Sequence, residues 1–214
     1  FQFGDATGIA NSTGGTDHAS LGAGAQVDRE AYMIGARLTK AFNNVSYKPA
    51  VTLWYDYLSG TSDEDLANGK WSSFDTMYDT GHKYYGLQDL FLGIGGGAGK
   101  GTQGLGLQDL AVKVKMNPVA GWTLKMDYHY FYTAEGVNAS PITSDVSNAG
   151  AAGNDGSFLG NELDVTAVNK WNANTKVMIG YSNFNSSQAF KRIRSGSTGA
   201  NDANWAYVQF DVKF

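Results

Sequence analysis

Residues 107–132 read LQDLAVKVKM, then NPVAG, then WTLKMDYHYFY, and the fold turns on how they alternate. Leu110, Val112, Val114 and Met116 occupy every second position, against Asp109, Lys113 and Lys115. After the turn at 117–121, Trp122, Leu124, Met126, Tyr128, Tyr130 and Tyr132 do the same against Lys125, Asp127 and His129. Side chains of a strand point alternately to its two faces, so each run is a strand with one apolar and one charged face. Each is about ten residues long, the length with which a tilted barrel strand crosses hydrocarbon.

The same pattern spreads outward from this hairpin. In 31–42, Tyr32, Ile34, Ala36, Leu38 and Phe42 oppose Arg37 and Thr39. In 47–58, Tyr47, Pro49, Val51, Leu53, Tyr55 and Tyr57 oppose Lys48, Thr52, Trp54 and Asp56. In 161–171, Leu163, Val165, Ala167 and Trp171 oppose Glu162, Asp164, Thr166 and Lys170, and in 175–184, Val177, Ile179 and Tyr181 oppose Lys176, Gly180 and Ser182. The chain closes on YVQFDVKF (207–214), where Val208, Phe210, Val212 and Phe214 oppose Tyr207, Gln209, Asp211 and Lys213.

Connector lengths give the topology. The turns at 43–46, 117–121 and 172–174 are short, while 5–26, 59–106, 134–158 and 186–202 are long. Brief turns at one end and long loops at the other are the plan of an outer-membrane barrel. The expectation is an all-β, transmembrane, antiparallel up-and-down β-barrel of about eight strands, in one domain over 1–214, with 59–106 as a long extracellular loop. Tyr47, Tyr57, Trp122, Tyr132 and Trp171 lie near strand ends, as interfacial aromatic girdles require. Alternation also suits a soluble β-sandwich binding module, the competing fold.

Composition agrees with a membrane strand protein and excludes several other classes. Hydrophobic residues make up 42% and no run is long enough for a membrane helix. The net charge of −4 offers no basic patch for nucleic acid, and the absence of Cys excludes a disulfide scaffold and thiolate metal sites. The opening FQFG reads as the tail of a strand already under way, so the chain is expected to be processed or part of a larger barrel.

Four stretches carry a resemblance: PAVTLWYDYLSGTSDED (49–65), FDTMYDTGHKYYGLQDLF (74–91), LGNELDVTAVNKW (159–171) and YVQFDVKF (207–214). In the second, Phe74, Tyr78, Gly81, His82, Tyr85, Gly86 and Asp89 fit the pattern. The chain resembles the alginate export family of Gram-negative outer-membrane barrels over about residues 46–214. Members of that family are longer, so the resemblance implies the C-terminal half of such a barrel. It implies a bacterial outer-membrane location among lipid, and an assembly signal of Tyr207, Phe210, Val212 and Phe214 read by the barrel-assembly machinery. It also implies a polar or anionic saccharide, such as a uronic acid polymer, as the transported molecule.

The function expected is therefore a porin-like channel, not an enzyme; the alternative is a non-conducting structural or partner-binding barrel. His129 lies two residues from Asp127, but no Ser is placed to complete a triad. The candidate pore-lining set is Arg37, Lys48, Asp56, Lys113, Lys115, Lys125, Asp127, Glu162, Asp164, Lys170, Lys176, Asp211 and Lys213. These charges either select the substrate or form an ion-pair lattice that stiffens the wall. In the long loop, His82, Tyr85 and Asp89 face the sugar path if the loop folds into the lumen, or pack it against the wall. GAGKGT (97–102) fails as a phosphate loop, with Ile94 in place of the first Gly and Gly101 after the Lys. No cofactor is expected, apart from a Ca²⁺ alternative at Asp63, Asp65 and Asn68, whose spacing does not match an EF-hand.

Overall fold

Every alternating run forms a strand. A computed structural model describes residues 1–7, 26–77, 81–92, 101–102, 104–136, 157–193 and 202–214. In chain order these hold β1 (Gln2–Thr7), β2 (Gln26–Ala31), β3 (Met33–Ala41), β4 (Ala50–Leu58), α1 (Asp63–Ala67), β5 (Lys70–Trp71), β6 (Leu107–Met116), β7 (Trp122–Tyr132), β8 (Phe158–Lys170), β9 (Thr175–Ser186), α2 (Gln188–Ile193) and β10 (Ala203–Val212). Seven strands make one sheet in the order β10-β9-β8-β7-β6-β4-β3, and each strand pairs antiparallel with its neighbours. Neighbours in sequence are neighbours in space, the up-and-down arrangement that short and long connectors dictate.

Two expectations are corrected. The sheet is not closed among the described residues, since β3 and β10 are its edges, and it holds seven strands rather than eight. β1 does not join it. It belongs to a second sheet of order β1-β2-β5, in which β2 pairs antiparallel with β1 and parallel with β5. The cause is a break at Tyr32. Its N–H donates to Ser59 Oγ and its carbonyl accepts from the Ser59 N–H. Above that point the chain leaves β4 and runs as β2 through Asp28-Arg29-Glu30, a charged run that hides the alternation. Val27 and Ala31 of β2 are nonetheless buried. β4 also starts later than its apolar pattern, because Tyr47 and Lys48 take left-handed φ values of 64° and 44° and Pro49 has no N–H to give.

The sheet's apolar face is open. Leu38 is 70% exposed, Leu53 52%, Ile179 49% and Phe210 68%. Among the described residues no second sheet packs on this face, as a sandwich would require. Trp122, Trp171 and Tyr47 mark its turn end; Tyr32 and Tyr130 mark its loop end, and Tyr181 lies midway along β9. No described helix is long and apolar enough to cross a membrane.

The buried cluster lies instead on the charged face, at the loop end. Phe91 is wholly buried, 4.5 Å from the Phe131 ring and about 6 Å from the rings of Phe184 and Phe190. Leu58, Leu105, Leu107 and Leu159 complete it with Ala189 and Ile193 of α2. Burying a Phe of this kind contributes about 1.5–3 kcal/mol. Phe91 thereby anchors residues 81–92 against the loop end of the charged face.

Candidate functional site

Register places the charged-face side chains in level rows across the sheet. One row runs Arg37, Trp54, Ala111, His129, Glu162, Phe184, Ala203. The next, towards the turns, runs Thr39, Thr52, Lys113, Asp127, Asp164, Ser182, Trp205. The row below that runs Ala41, Ala50, Lys115, Lys125, Thr166, Gly180, Tyr207, and the last holds Lys170, Lys176 and Asp211. Acids therefore gather towards the loop end and lysines towards the turn end, an order invisible in the overall balance of charge.

Burial sharpens this separation. Asp56, Asp109, Glu162 and Asp164 are buried beneath the covering segment. Lys48, Lys115, Lys125, Lys170, Lys176 and Lys213 are exposed, and among the candidate acids only Asp127 and Asp211 keep partial exposure. Lys115 stands directly opposite Lys125, and Lys170 opposite Lys176. Like charges directly across a ladder are destabilising, so these pairs oppose the sheet they sit on.

Each buried acid has its own partners. Arg37 Nη2 donates to both oxygens of Asp56, at 2.7 and 2.8 Å, with Trp54 Nε1 at 3.0 Å from Oδ2. The guanidinium lies 3.2 Å above the Trp54 ring, a cation–π seat. His129 Nδ1 is 2.8 Å from Asp109 Oδ1 and Nε2 is 3.1 Å from Lys113 Nζ. An ammonium only donates, so Nε2 accepts and the ring proton sits on Nδ1, facing Asp109. Lys113 also reaches Asp127 at 3.0 Å. Arg37 with Asp56 and Lys113 with Asp127 are thus ion pairs on the sheet, whereas register sets the lower lysines against one another.

Residues 81–92 fold onto the charged face. The Leu87 N–H donates to Asp164 Oδ2 at 3.2 Å and the Gln88 N–H to Glu162 Oε1 at 3.0 Å. Gln88 Nε2 reaches Ser182 Oγ and the Ala203 carbonyl, and Ser182 Oγ donates to Glu162. Gly86, with φ of 85°, presses on the Glu162 carboxylate so closely that a Cβ would lie 2.5 Å from it. His82, Tyr85 and Asp89 are also left-handed, at 58°, 60° and 56°. Non-glycine residues in that region cost on the order of 1–3 kcal/mol each, strain that concentrates at functional segments. Of the loop candidates, Tyr85 is buried and packs the segment, while the His82 ring is exposed and stacks on Trp205 at 4.6 Å. Asp89 Oδ1 accepts from the His82 N–H at 2.7 Å.

The remaining candidates fall outside this cluster. Asp65 closes a capping box on α1: its Oδ2 accepts from the Ser62 N–H and hydroxyl while its own N–H donates to Ser62 Oγ. The Asp63 side chain and residues 93–100, which hold most of the GAGKGT stretch, lie outside what is described. Tyr207, Phe210 and Val212 lie on β10, and Phe214 just beyond its end. Gln88 and Ser182 do not stand out as site residues in the sequence. Trp205, like Trp54, is missed as a site residue but carries a legible signal, as a large aromatic out of phase with the apolar face.

Compared with known proteins, the chain matches a family model described as alginate export over residues 2–202 of 214. No curated protein matches it significantly.

Proposed function

The chain belongs to the alginate export family, a family of transport proteins typically of the outer membrane, and on that premise we propose that it walls a channel for polar or anionic saccharides. The observation that carries the reading is the separation of charge on one face. Acids are buried and paired at the loop end, and exposed lysines line the way from the turn end. Like-charged Lys115/Lys125 and Lys170/Lys176 pairs are tolerated where water or a passing anion screens them. Lysine suits a path of weak successive contacts, because a hydrated ammonium makes a loose contact with a carboxylate where arginine makes a bidentate clamp. The apolar face meets lipid, and β10 presents the assembly signal Tyr207, Phe210, Val212 and Phe214 at the turn end. Passage is by diffusion.

The test is ion selectivity in planar bilayers with the full-length protein. Lys115→Glu with Lys125→Glu and Lys170→Glu should turn an anion preference into a cation preference. An unchanged reversal potential takes these residues off the path. The segment packed over the loop end favours a second reading, a non-conducting barrel. Zero current from both the wild type and a deletion of 60–104 would establish that reading.

A further inference from the structure

We propose that the cleft between residues 82–87 and β10 is a saccharide subsite, and that the His82 ring is a removable cover on its stacking surface. The inference rests on the channel reading for how a saccharide arrives, but its geometry is independent. The cleft has a volume of about 480 Å³, within the range that holds a small ligand. Its lining includes His82, Lys83, Lys125, Asp127, Asp164 and Trp205. Two ammonium groups suit one carboxylate, and two carboxylates accept from ring hydroxyls. Asp164 is nearly fully buried, and its Oδ1 has no hydrogen-bond partner among the described residues. Its other oxygen, Oδ2, accepts from the Leu87 N–H, which ties this wall of the cleft to residues 82–87.

The stacking surface is Trp205. Its indole is stacked with Tyr207 at 4.6 Å, and Tyr207 lies across Gly180, where a Cβ would be 2.0 Å from the ring. Only glycine leaves that space, so the aromatic pair is held in a fixed posture. The imidazole of His82 covers Trp205 at 4.6 Å, tilted by 19°. A pyranose ring, with C–H bonds along one face, occupies the same kind of position against an indole. The contacts that hold His82 are all inside its own loop: Asp89 Oδ1 on its N–H, Asp89 Oδ2 2.9 Å from Nδ1, and the Leu87 carbonyl 2.8 Å from Nδ1. Release of the ring from Trp205 therefore breaks none of the hydrogen bonds that tie the loop to the sheet. Saccharide binding and displacement of His82 are then one exchange of stacking partners.

The test titrates a short uronate oligosaccharide against full-length wild type, His82→Ala, Trp205→Ala and Trp205→Phe, reading both current block and tryptophan fluorescence. His82→Ala should tighten binding about two- to tenfold, because the competing ring is gone, while Trp205→Ala should weaken it by at least as much. Trp205→Phe retains a ring and should keep block near the wild-type value. Heat-modifiable gel migration verifies that each variant is folded. Unchanged or weaker binding by His82→Ala, or unaltered binding by Trp205→Ala, overturns the proposal. Current without Trp205-dependent binding rejects the subsite and keeps the channel. Trp205-dependent quenching without current does the reverse.

Discussion

Replacing Gly86 by Ala tests whether residues 81–92 are seated where the structure puts them. Two costs are separable. The backbone cost comes from φ of 85°, which an L-residue adopts at about 1–2 kcal/mol. The steric cost comes from the Glu162 carboxylate, whose Oε1, Cδ and Oε2 would lie 2.5, 2.6 and 2.6 Å from the new Cβ. Ordinarily such a carboxylate swings aside. Here Glu162 is fully buried and held by Gln88 and Ser182, so the loop must lift by nearly an ångström instead. Lifting loses the Gln88–Glu162 and Leu87–Asp164 bonds, each worth on the order of 1 kcal/mol. Part returns as water reaches the two acids. Gly69 is the control, with φ of 69° and nothing within 4 Å of an added methyl. Gly69→Ala should cost only the backbone part. Thermal unfolding and single-channel conductance in bilayers read the difference: Gly86→Ala should be the less stable of the two and conduct more, Gly69→Ala near wild type. Equal stability and equal conductance of the two variants would refute the seating of the loop on Glu162.

Other consequences reach different parts of the molecule. Phe91→Ala removes the ring shared by Phe131, Phe184 and Phe190 and should cost about 3–5 kcal/mol, seen as a lower unfolding midpoint. Ile179→Arg places a charge at the centre of the apolar face; if that face meets lipid, folding into bilayers should lose about 2–4 kcal/mol, while an unchanged folding energy would mean water wets it. Asp202, in the loop before β10, accepts from the Ser186 N–H and hydroxyl, which hold its carboxyl below the ordinary 3.8. The folded value is the lower one, so this anchor contributes above pH 3.8 and is lost as pH falls through the folded value. A carboxyl NMR titration should show that depressed midpoint, and Ser186→Ala, which removes the hydroxyl donor, should move it back up.

The strands were legible because their signal is local. β6 and β7 coincide with the runs at 107–116 and 122–132, since a period of two over ten residues survives any tertiary context. β2 was not legible, because Asp28-Arg29-Glu30 breaks the period, and its partners β1 and β5 lie far off in sequence. The face of every pore-lining candidate except Lys48 and Lys213, which flank their strands, followed from parity alone. Their exposure did not. Whether Glu162 meets water depends on residues 86–88, more than seventy positions away, and those residues carry no periodic signal. Left-handed backbone at His82, Tyr85 and Asp89 is likewise set by what the segment rests on, not by residue type.

That dependence changes what the charges mean. Counted along the sequence, acids and lysines on this face nearly cancel, which favours a neutral ion-pair lattice. The folded chain removes most of the acids from solution by burial: Asp56 against Arg37, Asp109 against His129, Glu162 and Asp164 under the amides of residues 87 and 88. Burial does the same to few of the lysines, because the covering segment ends above their rows. Ion pairing within the sheet and the loop over Glu162 and Asp164 together convert a balanced wall into one whose accessible charge is positive. The substrate preference proposed here depends on that loop staying down, which is why Gly86, a residue without a side chain, is the most informative position to change.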